Sequence, residues 1–260
     1  MKAKRMELST TGFCGYMAEP DKFTGRGIVV ILGGESVMVP FLKLGKMMAE
    51  YFAKRGYTAC SVSLFGAEGL PDSPNQIPVE HTVHAIDYLK NGKKCSRVSV
   101  LGMSMGSIAA LAAVIYSGQA DDLIMMSPSH VAFEGVSKDK KEMRGRSFLT
   151  WKGQDIPYVS ADFSKYKMHE AYEKAYADKE REAAAMAALP ITSVKARMLF
   201  LAGAKDSSWP AAYSVDRLCK ALESSGEEHE FQKIIYPGYG HMLPLKKDVM
   251  NRVFEWLGAR

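Results

Sequence analysis

Residues 97–116 read Arg97-Val98-Ser99-Val100-Leu101-Gly102-Met103-Ser104-Met105-Gly106-Ser107-Ile108-Ala109-Ala110-Leu111-Ala112-Ala113-Val114-Ile115-Tyr116. Val98 to Leu101 is short and Val-rich, the pattern of a buried strand. From Met105 onward the stretch is Ala- and Leu-rich with small residues early, the pattern of a packed helix. Between them lies Gly102-Met103-Ser104-Met105-Gly106, a G-x-S-x-G at a strand-to-helix turn. The turn is so sharp that a side chain at either flanking glycine would collide with the neighbouring strand or helix. Such a turn lifts the Ser104 hydroxyl out of the sheet. It also aims the Met105 N–H, at a helix N-terminus, towards the place where an oxyanion would develop.

Upstream, Ile28-Val29-Val30-Ile31-Leu32 is a continuous apolar run of strand length, which suits a strand covered on both faces. It ends in Gly33-Gly34-Glu35, where glycine lets the backbone approach something closely. A backbone N–H near Gly34 or Glu35 is the candidate for the second half of an oxyanion hole, the ordinary strand-end turn being the alternative. A helix over residues 40–54 and a strand over 57–62 follow. Pro78 suits a first helical position, with Glu80 placed where the helix dipole favours a carboxylate. The residues before Ile28 read as polar antiparallel strand pieces, around Lys4 to Ser9 and Phe13 to Met17.

Downstream, Asp121 to Met126 is another strand, ending at Ser127-Pro128-Ser129-His130. Strand and helix alternating at crossover spacing predict a mainly parallel sheet with helices on both faces, and ligands bind at the C-terminal ends of such strands. Residues 131–190 break the rhythm. The first part is polar and basic (Lys138, Lys140, Lys141, Arg144, Arg146, Lys152), with Phe148, Trp151 and Tyr158 interspersed. A helical stretch then runs from about Ser164 to Ala188, stopped by Pro190. An insertion between two sheet strands is expected to sit above the sheet edge as a lid on a single domain spanning residues 1–260. Its basic cluster reads as a solvated face or as contacts to an anionic part of a ligand. The rhythm resumes with a strand at Arg197 to Ala202, a helix to about Ser224, a strand at Glu230 to Tyr236 and an amphipathic helix from Lys246 to Leu257.

Composition narrows the classes. The 260 residues fit one large α/β domain. A net charge of +5 that no helical face concentrates makes no case for a nucleic-acid partner. The basic Met1-Lys2-Ala3-Lys4-Arg5 is followed by no apolar core of a signal peptide, and the longest apolar run, Ile108 to Tyr116, is far too short to span a bilayer. Four cysteines, Cys14, Cys60, Cys95 and Cys219, are widely spaced, suggesting neither a zinc site nor a disulfide framework. A cytoplasmic chain with free thiols, no membrane partner, no cofactor and no metal is expected.

A serine hydroxyl is a poor nucleophile near neutral pH and needs a base within hydrogen-bond reach and a group to orient that base. Ser104, then Asp206, then His241 is the chain order expected when each sits on a loop after a successive strand of such a sheet. His241 is the candidate base and Asp206 the residue that fixes its tautomer. His130 and Asp155 are the fallback candidates. His130, Trp209 and Trp151 are the candidate substrate contacts.

Several motifs accompany this order. They are Leu32-Gly33-Gly34, Arg55-Gly56-Tyr57, Ile77-Pro78-Val79-Glu80, Ser127-Pro128-Ser129, Phe133-Glu134-Gly135, Lys152-Gly153 with Ile156-Pro157-Tyr158, Trp209-Pro210, and Tyr236-Pro237 with Gly240-His241. With the elbow at Ser104 they resemble the acyl-CoA thioesterase and bile acid-CoA:amino acid N-acyltransferase family, in its short bacterial form. That resemblance implies an α/β-hydrolase fold, and a catalytic triad falling on Ser104, Asp206 and His241. The family's thioesterases carry serine at the elbow and its acyltransferases cysteine, so Ser104 implies hydrolysis. Met105 departs from the Lys common before the last Gly of the elbow, and the residues before Ile28 are too few for the N-terminal β-sandwich of the mammalian members. The leading expectation is a serine hydrolase that passes through an acyl-serine and acts on an acyl-CoA or related thioester. The alternatives are a carboxylesterase or lactone hydrolase on oxygen esters, acyl transfer from CoA to an amine, and a catalytically silent binding module.

Overall fold

The computed structural model describes residues 2–33, 39–137 and 143–258. The polar start of the chain forms β1 (Lys4–Met6), a single helical turn α1 (Leu8–Thr11) and β2 (Gly15–Ala18). The first strand stops at Met6, before the expected Ser9. The Thr10 and Thr11 hydroxyls donate to the Glu7 carbonyl at 3.1 and 3.0 Å, offering the backbone a local turn in place of a ladder. Then come β3 (Arg26–Ile31), α2 (Val39–Ala53), β4 (Thr58–Val62), β5 (Ile77–Pro78), α3 (Glu80–Asp87), β6 (Arg97–Met103), α4 (Met105–Ser117) and β7 (Asp122–Met126).

Among the described residues the main sheet has eight strands, in the order β1-β2-β4-β3-β6-β7-β13-β14, where β13 is Arg197–Gly203 and β14 Phe231–Tyr236. The pairings from β4 through β14 are parallel, and β1 and β2 add an antiparallel edge. The mainly parallel sheet is therefore as expected. Burial on both faces explains the continuous apolar strands. In β3 and the residue after it, Ile28, Val30 and Leu32 join one core with Met48 and Phe52 of α2 and with Val249 and Val253 of α8 (Lys247–Gly258). Val29 and Ile31 point the other way, to Ile86 of α3, Ile108 of α4 and Leu218 of α7 (Ala211–Glu223). A two-residue period thus serves two cores from one strand. Each such side chain stabilises the fold by about 1.5–3 kcal/mol relative to exposure.

At the N-terminal edge of the sheet, Asp122 is fully buried and accepts from Arg97 (2.8 and 2.9 Å), from Arg197 (2.7 and 2.9 Å) and from the Ser99 hydroxyl (2.8 Å). The carboxylate raises the Arg97 pKa through these bonds. A buried charge needs this degree of pairing. The network pins the starts of β6, β7 and β13 at the end opposite Ser104.

The segment between β7 and β13 carries β8 (Ala132–Val136), β9 (Met143–Ser147), β10 (Leu149–Trp151), β11 (Gln154–Asp155), β12 (Tyr158–Val159), α5 (Met168–Ala177) and α6 (Lys179–Ala188). Three expectations need correction here. The single helix from about Ser164 to Ala188 is two helices, because the Asp178 carboxylate caps α6 by accepting from the Arg181 N–H at 3.2 Å. Pro78 is not a first helical position. The N–H groups of Ile77 and Val79 donate to Phe148 and Thr150, so Pro78, which lacks an N–H, occupies the outward-facing place of a short strand beside β10. Nor is the start of the segment exposed, as a polar stretch would be: all of β8 is buried, Glu134 included. Lys138, Lys140 and Lys141 lie outside the described residues, as does the side chain of Arg144. Arg146 pairs with Asp155 at 2.7 Å, and Lys152 stands over the Trp151 ring. Among the described residues no helix is long and apolar enough to cross a membrane.

Candidate active site

The turn between β6 and α4 holds Ser104 at φ 57°, ψ −132°, a conformation that L residues rarely adopt. The glycines make it possible. A Cβ on Gly102 would meet the Gly106 carbonyl and lie 2.6 Å from the Ser107 Cα; a Cβ on Gly106 would strike the Ile31 carbonyl of β3. The Ser104 N–H donates to the Met126 carbonyl at 3.0 Å, tying the elbow to the end of β7. Met105 opens α4 directly behind the hydroxyl.

His241 lies on the loop after β14, and its Nε2 is 2.9 Å from the Ser104 Oγ. Its Nδ1 is 2.8 Å from Oδ2 of Asp206, which lies on the loop after β13. The other Asp206 oxygen accepts from the Ser208 and Trp209 N–H groups at 2.8 and 3.3 Å. With both oxygens committed, the carboxylate holds a fixed orientation, and the Nδ1 proton directed at it leaves Nε2 to accept from Ser104. Asp206 is buried, and His241 keeps 15% of its side chain exposed, enough to face a bound molecule. The close approach of the two loops rests on Gly203, where a Cβ would run into the carbonyls of Tyr239 and Gly240.

Ser104 and His241 open into a cavity of about 650 Å³, within the usual range for small-molecule sites. Its lining is mostly apolar. The strand-end loops supply Leu32, Met103, Met105, Trp209 and Met242, and the segment between β7 and β13 supplies Phe133, Val136, Phe163, Met168 and Tyr172. Two charged residues border it, Glu134 and Lys246. The Glu134 carboxylate accepts from the Gly145 N–H at 2.7 Å, and Lys246 stands over the Tyr239 ring. Among the described residues no group of three His, Cys, Asp or Glu is gathered that could hold a metal ion.

The sequence-derived candidates separate clearly. Ser104, Asp206 and His241 come together, and Trp209 lines the cavity with its ring edge-on to His241. Gly34 and Glu35 lie outside the described residues. The chain enters that stretch from Gly33, where a Cβ would meet the Gly106 N–H and the Met105 side chain in the first turn of α4.

His130 does not border the cavity. It is fully buried, with Nδ1 3.0 Å from the Ser214 Oγ and Nε2 2.9 Å from the Glu182 carboxylate, and burial pushes its pKa down to about 4. Trp151 is likewise no cavity residue, because its ring stacks on Tyr116 at a centroid distance of 4.2 Å. Asp155 is taken up by Arg146 and Gln76. The apolar residues from the inserted segment were missed as contacts. Phe133-Glu134-Gly135 is a legible motif, but nothing in its spacing says that its side chains reach the strand ends.

A mouse peroxisomal succinyl-coenzyme A thioesterase is 24% identical over 201 residues, covering 75% of this chain and 45% of its own. Human acyl-coenzyme A thioesterase 6 is 21% identical over 232 residues, covering 86% of this chain and 50% of its own. A mouse acyl-coenzyme A amino acid N-acyltransferase 2 is 22% identical over 249 residues, with the same coverages. The chain thus spans about half the length of the curated relatives it matches.

Among solved structures, a thermostable carboxyl esterase from Bacillus coagulans superposes with a TM-score of 0.62 at 14% identity, covering 99% of this chain and 97% of its own. A thermophilic esterase from Thermogutta terrifontis gives 0.57 at 15%, covering 99% and 93%. At such identities these likenesses speak for the fold alone, which is the α/β-hydrolase fold. Residues 77–246 match the family described as BAAT / acyl-CoA thioester hydrolase C terminal. A match over more than half of the chain places it there: the protein belongs to the BAAT / acyl-CoA thioester hydrolase C-terminal family.

Proposed function

We propose that the protein is a serine hydrolase that cleaves acyl thioesters, acyl-CoA first among them, through an acyl-Ser104 intermediate. The observation that carries the reading is the unbroken chain of hydrogen bonds from Asp206 through His241 to Ser104 at the mouth of an apolar cavity. Ser104 Oγ attacks the thioester carbonyl carbon while its proton passes to His241 Nε2. The carbonyl oxygen becomes an oxyanion, met by the Met105 N–H at the start of α4. On collapse the carbon–sulfur bond breaks, and the imidazolium returns its proton to the leaving thiolate. Water then attacks the acyl-enzyme, losing a proton to His241, and the carboxylic acid leaves with the Ser104 hydroxyl restored.

The apolar wall from residues 131–190 supports a lid on a single domain, one that receives the acyl chain. Four buried, unbridged thiols support a reducing compartment, in line with the cytoplasm.

The experiment is to incubate the protein with a panel of acyl-CoAs and of nitrophenyl esters with the same acyl groups, following thiol or phenol release and the intact mass. The expected result is a covalent adduct on Ser104 and turnover that Ser104→Ala abolishes. Turnover of oxygen esters alone would make the protein a carboxylesterase. Amide formation with added glycine or taurine would make it an acyltransferase. Unchanged turnover in Ser104→Ala refutes the mechanism.

A further inference from the structure

Ser127 follows β7, is fully buried, and has a φ of 43° although it is not glycine. Each of its polar groups is spent on a different element. The N–H donates to the Leu201 carbonyl of β13 at 2.7 Å. The carbonyl accepts from the Trp209 indole N–H, on the loop that carries Asp206, at 2.9 Å. The hydroxyl donates to the main-chain carbonyl of His241 itself at 2.8 Å.

Its neighbour Met126 accepts from the Ser104 N–H. The end of β7 is therefore the one place in the described structure that bonds all three loops bearing Ser104, Asp206 and His241. For the backbone alone, glycine would meet a left-handed φ at no steric cost. What serine adds at this position is the hydroxyl, and the hydroxyl goes to His241.

We propose that Ser127 is a positioning residue: by holding the His241 carbonyl to the end of β7, it sets the imidazole in reach of both Ser104 and Asp206. The other carbonyl contact of His241, from the Leu243 N–H at 2.9 Å, lies within the same loop and cannot fix that loop against the sheet. The Lys205 N–H holds the Tyr239 carbonyl at 2.9 Å, two residues upstream, and so does not reach His241 itself. The Ser127 bond ties the backbone of His241 itself to the sheet. This inference rests on the reading of Ser104, Asp206 and His241 as the reacting set.

The test compares Ser127→Gly, Ser127→Ala and Ser127→Cys. Glycine relieves the backbone and removes the hydroxyl; alanine removes the hydroxyl but keeps the strained backbone. Cysteine keeps the size of the side chain and a weak S–H donor, and it serves where the other two fail to fold. The expected result is a kcat lowered about 10–100-fold in both Gly and Ala variants, the scale of a small misplacement of a reacting group. KM should change by no more than about threefold, and the Cys variant should fall in between. The low-field proton resonance of the His241 Nδ1–Asp206 bond should shift or broaden in proportion, whereas the unfolding midpoint of the Gly variant should be at or above that of the Ala variant. A purely structural role would instead make activity follow the unfolding midpoint and leave the resonance in place. Folded Ser127→Gly with the kcat of the parent overturns the proposal. His241→Ala is run alongside: if it retains turnover, the reacting set itself is wrong; if it is inactive while Ser127→Gly is fully active, only the role of Ser127 is lost.

Discussion

The indole of Trp209 stands edge-on to the imidazole of His241, with ring centroids 5.2 Å apart and planes at 88°. The same indole lines the cavity and reaches through its N–H to the Ser127 carbonyl. Trp209→Phe keeps an aromatic edge and loses the hydrogen bond, so kcat is expected to fall about 3–10-fold, the worth of one neutral hydrogen bond. Trp209→Ala also leaves a hole beside Phe133 and Tyr172, and about 3–5 kcal/mol of stability is expected to go with it. Steady-state kinetics and denaturant unfolding read the two effects separately.

The elbow glycines predict a failure of folding rather than of chemistry. Gly106→Ala places a methyl group against the Ile31 carbonyl, which is backbone in the centre of the sheet and cannot yield. A loss of about 3 kcal/mol or more is expected, seen as a lowered urea midpoint or as insoluble protein. Gly118→Ala is the control. Nothing stands within 4 Å of its added Cβ, so only the cost of a positive φ should appear.

Acid should weaken the docking of α6. Burial holds the His130 pKa down at about 4, so between that value and an unfolded value near 6.5 the unfolded chain binds the extra proton. The contribution, about 3 kcal/mol, is complete above the unfolded pKa and is lost as pH falls towards 4. For Glu182, burial pushes the pKa up, but its bonds to Lys179, Tyr213 and His130 prevail and lower it, so acid removes that contribution too. Arg217, 3.3 Å from the same carboxylate, further disfavours a charged imidazole. Thermal unfolding at about pH 7 and about pH 4.5 should show a marked drop in Tm, which His130→Gln flattens.

Glu134 predicts selectivity. Glu134 is the one carboxylate bordering a mostly apolar cavity whose other charged residue is Lys246, and at contact distance it repels an acyl chain that ends in a second carboxylate by roughly 1–4 kcal/mol. Glu134→Gln should therefore raise kcat/KM for dicarboxylyl thioesters about tenfold, and leave the value for uncharged acyl chains of the same length within about twofold. Equal effects on both substrates would sink the idea.

The two cores and the strand-to-helix elbow were legible because periodicity and glycine placement are local signals. The convergence of Ser104, Asp206 and His241 was legible because chain order along a parallel sheet fixes which loops share an edge. What escaped depends on contacts distant in sequence. Nothing in the local sequence around Trp151 or His130 reveals a stacked Tyr116 or a Glu182 fifty residues on, so both read as candidate substrate contacts although the fold uses them internally. The split of one helical stretch at Asp178 was a local signal, an acceptor side chain ahead of a helical turn, masked by strong helix formers on either side. Ser127 stands at a legible strand end, but its hydroxyl acquires meaning only when His241, far along the chain, arrives beside it.

The rim that presents Ser104, Asp206 and His241 is braced by main-chain groups of the central strands, while a third of the residues lining the cavity come from one continuous stretch between β7 and β13. Reactivity and preference are therefore written in separate paragraphs of the gene. Chimaeras that exchange residues 131–190 with those of a relative should inherit the donor's taste in acyl chains, provided Glu182 or an equivalent is kept to meet His130.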